Sequence, residues 1–257
     1  GAADDLPPPP RFVAGWQLGE PDLVIELPEE FEVPADGPDL YRHFVIPSGL
    51  AETRCISAFE FRPSNPAVVH HAFLYFDTKG EARRLDAADP GPGYARFGGP
   101  GFVPDGGLGG WSPGGLPRRL PDNVGRVMWG DADVVIQVHY RPVGRPERDR
   151  SKLGLYFAPK SVRKYATDIM VANVDLHIPA GEASHRHTAS YTLPVDTTLL
   201  DCSPHMHVLG REMKVAATQP DGKVVPLIWI TDWDFNWQDH YVFARPVRLP
   251  KGTRIEY

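Results

Sequence analysis

Five histidines in three apolar, strand-like settings are the residues whose type and spacing could do chemistry: His70 and His71 in AVVHHAFLYF, His139 in VVIQVHY, and His205 and His207 in CSPHMHVLG. Clustered imidazoles in β-structure point to a metal ion. Side chains alternate between the two faces of a strand, so the i, i+2 spacing of His205 and His207 places both rings on one face as a two-nitrogen chelate. His70 and His71 are adjacent and would face opposite ways. Both reach one ion only at a strand end, an edge or a bulge, where the pleat is broken. His139 taken singly reads as a hydrogen-bonded core residue more readily than as a ligand. Gln137, two residues earlier and on the same face, could orient that imidazole or a neighbouring ligand from behind.

The i, i+2 spacing recurs at His185 and His187, but in the polar run GEASHRHTAS, which reads as a solvated loop or edge. His43, His177 and His240 have no histidine neighbour and read as structural. With histidines as ligands and no cysteine among them, copper and zinc are favoured over an iron–sulfur cluster or the oxygen-preferring magnesium and calcium. Other chemistries find little support, since no G-x-S-x-G, Walker-type loop or HExxH occurs. The acidic pairs Asp4-Asp5 and Glu29-Glu30 lie in Pro-rich flanks and read as solvated. Trp229, Trp233, Phe235 and Trp237 in WITDWDFNWQ read as core and loop anchors, with a substrate-stacking platform as the alternative.

The elements that must position these residues are short. Apolar runs of strand length follow one another with Pro, Gly and Asp between them: LVIEL (23–27), RHFVIP (42–47), CISAFEF (55–61), AVVHHAFLYF (67–76), ADVVIQVHY (132–140) and LGLYF (153–157). A second series follows: DIMVANVDLHI (168–178), ASYTLP (189–194), TTLLDC (197–202), MHVLGREMKVAAT (206–218), VVPLIWI (224–230), YVFARPVRLP (241–250) and TRIEY (253–257). The stretch 90–117 holds eleven glycines and six prolines and reads as a long surface loop. With 25 Gly and 28 Pro in 257 residues, long helices are disfavoured and an all-β chain is expected. A boundary near 160 separates a domain over 16–160 from one over 161–257, after a Pro-rich extension over 1–15. The last strand signal runs into Tyr257, which reads as a second domain cut short with an unpaired edge.

Charge narrows the partners. Asp and Glu number 33 against 27 Lys and Arg, a formal charge of −6, so no positive field is available to hold a nucleic acid. No apolar run approaches the roughly 20 residues that span a bilayer, and residues 1–10 carry no signal-like apolar core. Cys55 and Cys202 are far apart in sequence and form either one disulfide or two free thiols.

Taken in order, VVHHAFLYF, IQVHY and SPHMHVLGREM resemble the copper type II, ascorbate-dependent monooxygenases, the family of peptidylglycine alpha-hydroxylating monooxygenase and dopamine beta-monooxygenase. WQLGEPDLVIELPEEFEVP, WSPGGLPRRLP and WDFNWQDHYVFARPVRLPKGTRI look like its bacterial branch, and the likeness runs from Trp16 to Tyr257. The resemblance implies two antiparallel, jelly-roll-like β-sandwich domains with a cleft between them and one copper ion on each. His70, His71 and His139 would hold the electron-transfer copper; His205 and His207 would hold the catalytic one, where O2 is bound and a substrate C–H bond is attacked. Gln137 and Tyr140 match positions behind the first site.

Ascorbate or a similar reductant, O2 and a small-molecule substrate are the implied partners, in an exported, periplasmic or extracellular setting. The family draws a soft methionine ligand, suited to Cu(I), from late in the second domain. Here that methionine is expected beyond Tyr257, and neither Met206 nor Met213 takes its place. Two other readings stand beside this one: a non-enzymatic copper-binding or electron-transfer module, and a zinc hydrolase built on His70, His71 and His139.

Overall fold

The computed structural model describes residues 15–173, 175–235, 237–238 and 240–257; the extension expected over 1–15 lies outside them except for Gly15. The chain divides into two compact units, Gly1–Asp168 and Ile169–Tyr257. The first carries β1 (Leu23–Glu26), β2 (Phe31–Val33), β3 (Leu40–Pro47), β4 (Arg54–Arg62), β5 (Val69–Asp77), α1 (Glu81–Ala88), β6 (Tyr94–Ala95), β7 (Gly106–Trp111), β8 (Val124–Met128), β9 (Asp133–Tyr140), β10 (Glu147–Asp149), β11 (Lys152–Phe157) and β12 (Lys164–Tyr165). The second carries β13 (Ser190–Thr192), β14 (Thr197–Cys202), β15 (Met213–Thr218), β16 (Val224–Ile230), β17 (Tyr241–Leu249) and β18 (Arg254–Glu256). The described chain is thus nearly all-β, in mostly antiparallel sheets. Lys164 and Tyr165 pair with Val124 and Gly125, which carries the first unit past the boundary expected near 160.

Two five-stranded sheets build the first unit, in the orders β1-β11-β4-β8-β12 and β6-β3-β9-β5-β7, with β10 and β2 as a separate pair. Alternating side chains of both sheets meet in one core that includes Ile25, Phe44, Ile56, Leu74, Ile136 and Leu155. Burying each such side chain contributes about 1.5–3 kcal/mol, which is why strands this short hold together. All eight residues of β9 are buried, because both faces of its sheet are covered. Val134, Ile136, Val138 and Tyr140 enter the main core, whereas Val135 packs with Ala82 and Tyr94 on the outer face. Buried carboxylates fasten α1 there: Asp77 accepts the backbone N–H of Ala82 at 2.7 Å, and Asp133 accepts from Arg83 at 2.5 and 2.7 Å.

The Gly- and Pro-rich stretch is not a loop throughout. It supplies β6 and β7, and β7 closes the sheet edge beside β5. A Cβ on Gly107 would come within 2.6 Å of the Leu74 carbonyl oxygen, and one on Gly110 within 2.9 Å of the Phe73 ring. Glycine at an edge permits this close approach while erasing the alternation by which a strand is recognised.

The second unit has a four-stranded sheet, β13-β18-β15-β16, and the pair β14-β17, around Leu193, Val215, Ala217, Leu249 and Ile255. Three expectations change here. The run 168–178 forms no strand in its described residues: Ile169 and Val171 pack on the core while Met170 and Leu176 are exposed. The run 206–218 becomes a strand only at Met213. β18 is no open edge, since it is bonded by β13 on one side and β15 on the other.

Candidate metal centre

A β-bulge brings the adjacent histidines of the first unit together. In the pairing of β5 with β9, Val69 lies opposite Tyr140 and His71 opposite His139, so the register shifts at His70 and the alternation of faces is broken there. The chain entering β5 is held just before that shift. Asp149 accepts from the backbone N–H of Ser64 at 3.1 Å and of Asn65 at 3.2 Å, and from the Tyr140 hydroxyl at 2.9 Å. Arg141 donates its backbone N–H to the Val68 carbonyl at 2.8 Å. The broken pleat that a shared ion requires of His70 and His71 is therefore built into the sheet.

The three imidazoles converge through their Nδ1 atoms. His71 Nδ1 lies 3.1 Å from His70 Nδ1 and 3.3 Å from His139 Nδ1. One ligand atom from each ring falls within 4.8 Å of the others. Nitrogens bound at about 2.0–2.1 Å around a tetrahedral ion stand roughly 3.3 Å apart, so this donor set fits a transition metal. His139 is 1% exposed, while His70 and His71 are half-buried. Burial lowers the pKa of His70, Asp39 opposing and Arg141 adding to the shift, so the neutral ring that a metal needs is favoured.

Asp39 and Tyr41, which the sequence does not single out, complete the site. Asp39 accepts the Nε2–H of His139 at 2.8 Å. Tyr41, opposite His139 across β3 and β9, stacks on its ring at 4.3 Å and 15°. Their only sequence signal is the i, i+2 spacing, which means nothing until β3 is known to pair with β9.

Gln137 and Tyr140 stand near the site with hydrogen-bond partners of their own. Gln137 does face the same way as His139, but it donates to the Gly98 carbonyl at 2.6 Å and accepts from the Tyr75 hydroxyl at 3.2 Å, bracing the segment over the outer face. Tyr140 follows His139 directly and so turns inward, stacked on Phe31 at 4.9 Å in the main core. Its contribution to the site is made through Asp149.

In the second unit His205 and His207 lie between β14 and β15 with no strand to align them, so the expected alternation of a pleat does not apply. Their ring centroids are nevertheless 5.0 Å apart, at 80°. Both residues are exposed, yet the protein packed against His205, and then the charge of His207, lower its pKa. The side chain of Gln238 hydrogen-bonds His205 and acts in the opposite direction. That amide donates to the Phe235 carbonyl at 2.8 Å, which leaves its oxygen to accept from the imidazole. Met213 opens β15 and packs on the core, and Met206 is half-buried.

The remaining candidates do other things. His185 and His187 are joined Nε2 to Nε2 at 2.6 Å. The Asn173 amide donates to His187 Nδ1 at 3.0 Å and its oxygen accepts the Asp175 N–H at 2.9 Å, so the His187 proton sits on Nε2 and is shared with His185. His240 links the Ser203 hydroxyl, at 2.5 Å, to Asp201, at 3.3 Å. His43 is fully buried and stacked on Tyr94. Trp233 is buried, whereas Trp229 donates to Glu212 at 2.7 Å and lies under Lys214, so the four aromatics are not one platform. Cys55 and Cys202 are free thiols. No helix among the described residues is long and apolar enough to cross a membrane.

No protein-family model matches this chain, and no curated protein matches its sequence.

Proposed function

We propose that this chain is a copper-dependent monooxygenase that hydroxylates a C–H bond of a small organic substrate, using O2 and an ascorbate-like reductant. The observation that carries the reading is the convergence of the His70, His71 and His139 Nδ1 atoms at a bulge, in a histidine pattern that resembles that family. Bound copper supplies one-electron chemistry and the activation of O2. His70, His71 and His139 would hold the ion that accepts electrons, and His205 and His207 the ion at the oxygen and substrate site. The chain's own residues prepare both sets. Asp39 leaves the His139 Nδ1 lone pair unprotonated, burial favours neutral His70, and Gln238 takes one ring N–H of His205 so that its other nitrogen is available. An exported location belongs to the same reading, since this redox chemistry runs outside the reducing cytosol.

One observation favours the electron-transfer or copper-binding module instead: among the described residues, the single group of three convergent ligands lies in the first unit. Copper reconstitution with elemental analysis, electron paramagnetic resonance before and after ascorbate, and oxygen uptake separates the readings. The monooxygenase gives two type II copper signals per chain that vanish on reduction, and ascorbate-dependent oxygen uptake that His139→Ala and His205→Ala each abolish. Redox-active copper without oxygen uptake identifies the module. Zinc retained against copper, with hydrolysis that needs no reductant, identifies the hydrolase.

A further inference from the structure

We propose that Asp39 is the positioning residue of the three-histidine centre: its carboxylate holds His139 with Nδ1 free to bind a metal and supplies negative charge behind that ring, strengthening binding and lowering the reduction potential of copper held there. The inference rests on the metal-binding part of the functional reading. A neutral imidazole carries one proton, and only the nitrogen without it can bind a metal. His139 Nδ1 is the atom directed at His71, 3.3 Å away, while Nε2 meets Asp39 at 2.8 Å. A carboxylate accepts and cannot donate, so the proton is fixed on Nε2.

The pair at His187 shows the opposite setting within the same chain. There an amide donates to Nδ1 and leaves the proton on the nitrogen that faces the neighbouring ring. What lies behind an imidazole, and not its spacing, decides whether it is ready for an ion. Asp39 also acts beyond His139. Its field bears on His70, where Arg141 opposes it. Removing the carboxylate leaves the higher oxidation state less compensated. Asp39 immediately precedes β3, which pairs with β9 along its whole length from Leu40 opposite Tyr140, so the carboxylate is held by the same sheet that holds His139.

The test compares the full chain with Asp39→Ala and Asp39→Asn, measuring Cu(II) affinity of each site by competition with a chelator and the potential by redox titration. Unfolding of the metal-free proteins controls for folding. Asp39→Ala is expected to weaken the three-histidine site by about 10–100-fold and to raise its potential, with the His205 and His207 site unchanged. In Asp39→Asn the amide oxygen still accepts the Nε2–H, so most of the affinity returns while the potential stays raised; a purely structural role would not split the two. Affinity and potential within error of wild type in both variants overturn the proposal, as does wild-type protein that holds no ion at this site. If copper binds as expected but no hydroxylation occurs, the proposal stands and the monooxygenase reading falls. If Asp39→Ala changes nothing in a chain that does hydroxylate, the reverse holds.

Discussion

Three histidines of the first unit and two of the second offer the same ring chemistry on different supports. His70 and His71 are placed by a bulge whose entering segment is tied to Asp149 and Arg141, and His139 comes from a strand buried on both faces. His205 and His207 stand between strands, exposed, with a neutral amide behind one of them. The first set is preorganised by packing that exists for other reasons; the second is aligned by local contacts alone. An ion at the first site should therefore cost little ordering, whereas one at the second must order the segment that carries it.

The largest effect expected is loss of a ligand. His139→Ala should weaken ion binding in the first unit by more than the roughly 10–100-fold that follows removal of a supporting partner, and leave the second unit's affinity untouched. His205→Ala should do the converse. Site-resolved metal titration checks both, and loss of both ions from either change would erase the distinction between the regions.

Acid should separate the two units next. His43 is buried in the first unit, and desolvation, with the charges of Arg96 and Arg42 adding, lowers its pKa from 6.5 to about 4. The unfolded chain takes up a proton near pH 6.5 that the folded chain refuses until about pH 4. The contribution of His43 to the stability of the first unit should thus fall as pH drops through that window, by up to about 3 kcal/mol. No histidine of the second unit is buried to this degree among the described residues. Unfolding of the metal-free protein at a series of pH values should show the slope in wild type and a shallower one in His43→Leu.

The smallest effect concerns the neutral support. A hydrogen bond between uncharged groups contributes about 0.5–1.5 kcal/mol, so Gln238→Ala should weaken the second site only about two- to tenfold. A loss as large as that expected on removing Asp39 would show that the second site is as firmly held as the first.

How far this was legible in the sequence differs from element to element. The runs at 23–27, 42–47, 55–61, 67–76, 132–140 and 153–157 each contain a strand, because burial of alternate side chains leaves a period of two that any reader can see. β7 was hidden because glycines at a sheet edge carry no such pattern. The run 168–178 has the pattern, yet its described residues form no strand, since alternation is necessary for a half-buried strand and does not supply a partner to pair with.

The amino-acid order by itself determined an all-β chain, the five histidines worth examining, and the condition that His70 and His71 meet only where a pleat breaks. Those are local facts, set by residue type and by a two-residue repeat. Only the tertiary structure decided that the break exists, that Asp39 and Tyr41 stand at His139, that Gln137 braces a neighbouring segment, and that Tyr140 turns into the core. The physical reason is that these depend on which strand lies beside which and in what register, and a pairing between residues a hundred positions apart leaves no mark in either stretch alone.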